Sequence, residues 1–356
     1  MTRPVLQIVP SFAPRDAIGD HARQIDRLLK DHGVPTAIYA QSVVPEIAHL
    51  ARPFLELATG PDTGAVLLHH HSTGTGVVDR LLERPEPVVV NYHNITPAEL
   101  FDPWEPIVAA ELAWGRRQLA VLRDRAAAAV AVSAYNAREL EDLGWPKVTV
   151  APIVRDLGIH QEVQHRRTPR IGTAPELLFV GRLSPNKCQH DLLAVLALHH
   201  AVHGRGARLR LIGGASSQVY ERALRSLAVD LGVADAVSFE HGLTDADLVD
   251  AYDRASAFVC LSRHEGFSVP VLEAMRHGLP VVALAAAAIT ETVGGGGLLL
   301  PRADLDLVVA ALDRVTTDAT TWTALSDAGV CRAAAFRLDE ARRVFWEALQ
   351  AALEGC

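Results

Sequence analysis

Residues 257–275 read AFVCLSRHEGFSVPVLEAM. Ala257 to Leu261 is a short apolar run of the kind that makes a fully buried strand. A loop carrying Glu265 and Gly266 follows, and Pro270 predicts a helix starting there, because its missing N–H costs nothing at the first helical position. A buried strand passing through a short loop into a helix is half of a βαβ unit. Working outward, the same unit recurs almost from end to end. On the second half of the chain the strands are Leu177–Val180, Ala207–Ile212, Ala236–Phe239, Val281–Leu284 and Leu298–Leu300. On the first half they are Val5–Val9, Thr36–Ala40, Ala65–His70, Pro87–Tyr92, Ala129–Ser133 and Val148–Val154. Helices lie between them, such as Asp20–His32, with Ala22, Ile25, Leu28 and Leu29 on one side and Gly33 as the stop.

Two doubly wound α/β lobes with parallel sheets are therefore expected, with a ligand cleft at the carboxyl edges of their strands. The first covers 1–154 and the second 176–337. The polar stretch 155–175, without an apolar period, reads as a linker, and the amphipathic helix in 338–356 is expected to pack back on the first lobe. A length of 356 residues suits two domains, and 49% apolar with 21% charged residues excludes a disordered or fibrous chain. The net charge of −8 divides about evenly between the halves, so neither is a basic platform for nucleic acid. Cys188, Cys260, Cys331 and Cys356 lie far apart, which suggests neither a zinc cluster nor a disulfide framework. No run is apolar enough to cross a bilayer or to act as a signal peptide, and a cytoplasmic location is expected.

Gly181, Arg182 and Lys187 follow the first strand of the second lobe. Two cations at a carboxyl edge suit a diphosphate, Arg182 as a fork and Lys187 as a point charge, although solvated loop cations fit the spacing as well. After Leu261, the amides opening the helix at Pro270 can cradle an anion, and Gly266 lets the backbone approach it closely. Glu273, one turn into that helix, can accept hydrogen bonds from two sugar hydroxyls, as the acidic residue of dinucleotide folds does for ribose. The consecutive His69, His70 and His71 cannot all face one metal, since strand residues alternate faces. His71 and Ser72 are read as cleft residues at a strand end, and no metal site is expected. Gly294–Gly297 is followed by no Lys and Ser or Thr pair, and no G-x-G-x-x-G follows the first strand, which disfavours P-loop and nicotinamide readings.

The Gly181–Lys187 block, the spacing of Glu265 and Glu273, and the run LEAMRHGLPVVA at 272–283 resemble the donor lobe of retaining GT-B glycosyltransferases of family 4. The segment Tyr92–Pro97, YHNITP, resembles one found in a bacterial subset of that family. The resemblance implies a nucleotide diphosphate sugar as donor substrate, no other cofactor, and transfer of a hexose-type sugar to an acceptor hydroxyl by a front-face route. It places Arg182 and Lys187 on the diphosphate, Glu265 and His93 at the transferred sugar, and Glu273 at the ribose. It also places the amides of Phe267, Ser268 and Val269, with Gly19, Gly181, Gly214, Gly242 and Gly266, around the donor, and backbone near Gly213 and His241 at the base. Ser268 stands where the family loop has a second glycine, and one glycine, Gly19, stands where it usually has a pair. Arg15, Asp16 and Asn94 join His71 and Ser72 as acceptor-side candidates. The acceptor would be a small metabolite, a natural-product precursor or a glycan. The helix bearing Arg116, Arg117, Arg123 and Arg125 is read as a solvated face, with weak contact to an anionic membrane as the other reading. A phosphorylase on the same fold, or a bilobal binding protein without catalysis, are the alternatives.

Overall fold

A computed structural model describes residues 3–13, 16–156, 167–204 and 206–354. The chain divides into two compact units. In the first, β1 (Val5–Phe12), α1 (Ala17–Asp31), β2 (Thr36–Val43), β3 (Arg52–Pro53), α2 (Phe54–Thr59), β4 (Val66–His71), α3 (Val77–Leu82), β5 (Val88–Tyr92), α4 (Pro106–Arg125), β6 (Ala126–Ala131), α5 (Ala134–Asp142) and β7 (Val148–Val150) follow in order. In the second come β8 (Glu176–Val180), α6 (Gln189–His203), β9 (Arg208–Ile212), α7 (Gln218–Asp230), β10 (Val237–Glu240), α8 (Asp245–Arg254), β11 (Ala257–Cys260), α9 (Val269–Arg276), β12 (Val281–Leu284), α10 (Ile289–Val293), β13 (Leu298–Leu300), α11 (Leu305–Thr317) and α12 (Ala319–Ala334). The final helix α13 (Leu338–Leu353) belongs to the first unit.

The first sheet runs β3-β2-β1-β4-β5-β6-β7 and the second β10-β9-β8-β11-β12-β13, with every pair parallel. In both, the chain winds outward one way and then the other. The reversal falls between β1 and β4 in the first sheet and between β8 and β11 in the second, and ligands of open α/β sheets bind beside that switch point. Strands β4, β5 and β11 are buried along their whole length, and β11 accordingly reads as a continuous apolar run in the sequence, whereas β4 carries three buried histidines.

Several boundaries differ from the sequence reading for local reasons. Strand β1 continues past Val9 to Phe12, and Pro10 has no place in the register because it has no N–H to offer the ladder. Strand β6 starts at Ala126 rather than Ala129, directly after α4, with a register irregularity opposite Val88 and Val89. Strand β7 ends at Val150, and the N–H of Val154 donates to His21 Nδ1 at 2.8 Å instead of to a strand. Pro270 is the second residue of α9 and not the first, since the helix starts at Val269. Of the 155–175 segment, residues 157–166 lie outside the described residues. Arg167, beyond them, donates to the carbonyls of Tyr252, Asp253 and Ala255.

The first unit has a core in which Val66, Leu68, Val89, Ala128 and Val130 of the sheet meet Ile25, Leu28 and Leu29 of α1 and Phe345, Ala348 and Leu349 of α13. The second packs Leu177, Phe179, Leu209 and Val259 against Leu192, Leu196, Val308 and Leu312. These apolar faces hold the carboxyl edges of the two sheets rigid, and the chemistry-bearing residues sit on those edges.

Candidate functional site

In the second unit the switch point is framed by the turn after β8 and the loop after β11. Gly181 ends β8 with a positive φ of 151°, and its N–H donates to Ile212 O at 2.9 Å. Leu183 N–H donates to Gly214 O, so the turn after β8 lies along the end of β9. At Gly213 a Cβ would come within 2.2 Å of Gly181 O, so only glycine fits. Gly242, also at positive φ, follows β10, and His241 beside it lies 2.6 Å through Nδ1 from Gly213 O.

The turn Pro185–Lys187 is strapped to the β11 loop. Asn186 Nδ2 donates to His264 O at 3.0 Å, and Arg263 N–H donates to Asn186 O at 2.9 Å. Ser184 Oγ–H, donating to Asn186 Oδ1 at 2.8 Å, holds that carboxamide in place. These bonds carry Lys187 to Glu265, and the two form a largely buried ion pair. Arg182 differs. It is exposed, and among the described residues its guanidinium makes no hydrogen bond or ion pair, so it is open to an anion. Gln189 Nε2 donates to the Arg182 carbonyl at 2.9 Å and holds the backbone from which that side chain extends.

Gly266, Phe267 and Ser268 lead from Glu265 into α9. Ser268 caps the helix with φ 72° and ψ 69°, the left-handed region, and is buried. The amides of Ser268 and Val269 open this helix, at the end where N–H groups have no intrahelical acceptor. Thr292 Oγ–H donates to the Phe267 carbonyl and pins the loop. On α9, Glu273 accepts from Tyr252 O–H at 2.9 Å, and the Tyr252 ring, almost wholly buried, stacks on His277.

The first unit places a second group of residues around its own switch point. Asp16 caps α1, its carboxylate accepting from the Gly19 N–H at 3.0 Å. The Gly19 amide, expected to approach a donor phosphate, is thereby occupied, because a first-turn N–H is most cheaply satisfied by its own cap. Arg15 lies outside the described residues. His71, expected as a cleft residue, is wholly buried: it faces Gly115 O at 3.1 Å through Nε2 and His69 at 3.2 Å through Nδ1. Ser72 beside it is half-buried. Burial holds His71 down at about 4 and His21 at about 3, so both rings are neutral. His69 and His71 share one face of β4, and His70 occupies the other with His93.

His93 follows β5, its N–H donating to His71 O at 3.0 Å. Asn94 next to it has φ 79°, and its Nδ2 donates to Asn136 Oδ1 at 2.7 Å. Glu139 holds this turn from below. It accepts from Tyr92 O–H at 2.7 Å and pairs with Arg116, which also donates to Ile95 O. Arg125 donates to the carbonyls of Arg84 and Glu86 at 2.6 Å, and Arg123 to Leu143 O. Three of the arginines read as a solvated face thus tie α4 to its own unit.

The structure brings Lys187 to Glu265, places Gly181 beside Gly213 and Gly214, and sets His93 beside His70. Sequence reasoning overlooked Gln7, Glu139 and Tyr252, which hydrogen-bond His70, Tyr92 and Glu273, and His21, which accepts from the Val154 N–H. A polar Gln7 in the otherwise apolar VLQIV of β1 was the available signal. Among the described residues, a Cys188, His190 and Asp191 group is close enough for a metal. His190 is already hydrogen-bonded to Tyr220 at 2.8 Å, and burial pushes the Cys188 thiol up to about 11, which leaves it protonated. No helix among the described residues is long and apolar enough to cross a membrane.

Residues 174–318 match the family model described as glycosyl transferases group 1. A D-inositol 3-phosphate glycosyltransferase from Stackebrandtia nassauensis is 31% identical over 258 residues, covering 69% of this chain and 55% of the relative. A GDP-mannose-dependent alpha-(1-6)-phosphatidylinositol monomannoside mannosyltransferase from Mycobacterium tuberculosis is 32% identical over 174 residues, covering 46% of this chain and 44% of that one. The chain thus spans about half the length of the curated relatives it matches. Among solved structures, sucrose-phosphate synthase from Thermosynechococcus elongatus superposes with a TM-score of 0.74 at 16% identity, covering 99% of this chain and 100% of the other. Anabaena HepE in complex with UDP-glucose gives 0.72 at 19% identity, covering 98% and 99%.

Proposed function

Residues 174–318 of this GT-B chain form a glycosyl transferases group 1 domain, and from that premise we propose that the protein moves a hexose-type sugar from a nucleoside diphosphate sugar to an acceptor hydroxyl with retention at the anomeric carbon. The observation that carries this reading is the group at the β8–β11 switch point: an open Arg182, and Lys187 paired with Glu265 beside the start of α9. Arg182 and Lys187 take the diphosphate, with the amides of Phe267, Ser268 and Val269 completing its cradle. Glu265 then turns to the sugar hydroxyls, and Glu273 to the ribose. Gly181, Gly214, Gly242 and Gly266 let the backbone approach the nucleotide. In the first unit His93 meets the sugar, and Asp16, Ser72 and Asn94 stand on the acceptor side, while Gly19 contributes only close approach.

The route is front-face. The bond from the anomeric carbon to the phosphate oxygen breaks, and the acceptor oxygen forms its bond on the same face. The departing phosphate oxygen takes the acceptor proton. Negative charge grows on the diphosphate as the bond breaks, and the cations and helix amides stabilise it where it develops. Acceptor identity within small metabolites, natural-product precursors and glycans is left to assay. Relatives and neighbours named for UDP-glucose and GDP-mannose supply the first donors to try.

A thermal shift screen against UDP-glucose, GDP-mannose and the free diphosphates should raise the melting temperature with at least one of them. Arg182→Ala and Lys187→Ala should each lower turnover at least about a hundredfold, the scale of losing one transition-state donor. Near-normal turnover in both variants would overturn the reading.

A further inference from the structure

Gln7 lies in the middle of β1, wholly buried. Its Nε2–H donates to the carbonyl of Ala22 at 3.0 Å, which turns its Oε1 toward His70, 3.1 Å from Nε2 of that ring. A carboxamide oxygen only accepts, so His70 must carry its proton on Nε2. A neutral imidazole protonated there has a bare Nδ1. His70 Nδ1 lies 3.0 Å from His93 Nε2, with the two rings within 16° of parallel. The bond therefore runs from His93 Nε2–H to His70 Nδ1, and His93 keeps an unshared pair on its own Nδ1. That atom is buried and has no hydrogen-bond partner among the described residues. Burial, and next the neighbouring imidazoles, hold both rings neutral, so neither resolves the matter by taking a second proton.

We propose that Gln7 and His70 are positioning residues that lock His93 in its Nε2–H tautomer, so that His93 Nδ1 is a dedicated hydrogen-bond acceptor for one ligand hydroxyl. The direction of every bond in the chain is set at its far end by a backbone carbonyl, which cannot donate. The opposite face of β4 carries a similar chain. His71 Nε2–H donates to Gly115 O, and His71 Nδ1 accepts from His69 Nε2–H. That chain too ends on a buried Nδ1 with no partner among the described residues, that of His69, whereas the chain through His93 leaves the strand and reaches the residue after β5. A buried acceptor without a partner is destabilising, so a hydroxyl donor that reaches it is held favourably. An anionic oxygen or a deoxy carbon there would be repelled or would leave the pair unsatisfied, so the device selects a sugar that bears a hydroxyl at that point. That the hydroxyl belongs to a sugar rests on the function proposed above. The tautomer does not.

Long-range 1H–15N spectra of the imidazoles in the full chain test this, with His93 assigned by its loss in His93→Asn. The expected result is a proton on His93 Nε2 and a bare Nδ1. Gln7→Leu should release His70 and convert His93 wholly or partly to the Nδ1–H form. Gln7→Glu, whose carboxylate still accepts from His70, should retain the original tautomer, and so should His70→Gln, whose amide can accept from His93 and donate to Gln7. With UDP-glucose and GDP-mannose as donors, Gln7→Leu should lower kcat/KM at least tenfold while the melting-point shift given by free UDP or GDP is kept. A wild-type His93 protonated on Nδ1 would overturn the proposal, whether or not any variant folds. An unchanged His93 in folded Gln7→Leu would do the same. Absence of turnover in the wild type alongside the expected spectra would count against the sugar reading alone.

Discussion

Two residues near the β8–β11 switch point are decided by backbone geometry. Gly213 cannot carry a side chain, since a Cβ would lie 2.2 Å from Gly181 O, an atom held by the sheet. Gly213→Ala should therefore separate the ends of β8 and β9 and abolish the nucleotide-induced rise in melting temperature. Retention of that rise would show that the turn can move aside. Ser268 is the opposite case. It holds a left-handed conformation that costs an L-residue about 1–2 kcal/mol and glycine little. The resemblance already marked this position as one where glycine is usual, and the backbone angle supplies the physical reason. Ser268→Gly should stabilise the protein by about 1 kcal/mol, read as a higher urea midpoint. A lower midpoint would mean that the serine hydroxyl holds the loop more strongly than its backbone strains it.

At the scale of elements, β4 is the unusual one, carrying three consecutive histidines in a wholly buried strand. With His21 and His93 they are neutral in the folded protein. Once unfolded, they bind protons below their ordinary value of 6.5. The unfolded state thus takes up more protons as the solution is acidified. The stability these rings contribute is complete above about pH 6.5. It is lost as pH falls toward about 4 for His71 and about 3 for His21. The limiting slope is about 1.4 kcal/mol per pH unit for each ring. Melting temperature measured between pH 7.5 and pH 4.5, values chosen to span about two units below the free imidazole, should fall steeply through the lower part of that range. A flat profile would show that the rings are not held neutral in the fold. Strand β6 teaches a different lesson. Its AAAAVA has helix propensity and follows α4 without a break, yet it forms a strand because β5 and β7 flank it and pair with it.

For the whole molecule, α13 is the element out of chain order, since it follows the second unit and packs in the first. Phe345 is wholly buried, edge-on to His21 with ring centroids 5.2 Å apart, in a core shared with α1 and the sheet. Phe345→Ala should cost about 3–5 kcal/mol, seen as an earlier unfolding transition in urea. A loss under about 1 kcal/mol would mean that the helix docks by other contacts. By itself the sequence determined the α/β class, the parallel winding of both sheets, and the turn, loop and helix start that carry Arg182, Lys187, Glu265 and Glu273, because apolar period and turn chemistry are local and the central strands are buried on both faces. Tertiary structure alone decided that β6 would begin as early as Ala126, that Lys187 would meet Glu265, and where the protons of the histidines sit. Each of these depends on a partner distant in the chain, and a strand neighbour, a counter-charge or a fixed carbonyl leaves no periodic trace.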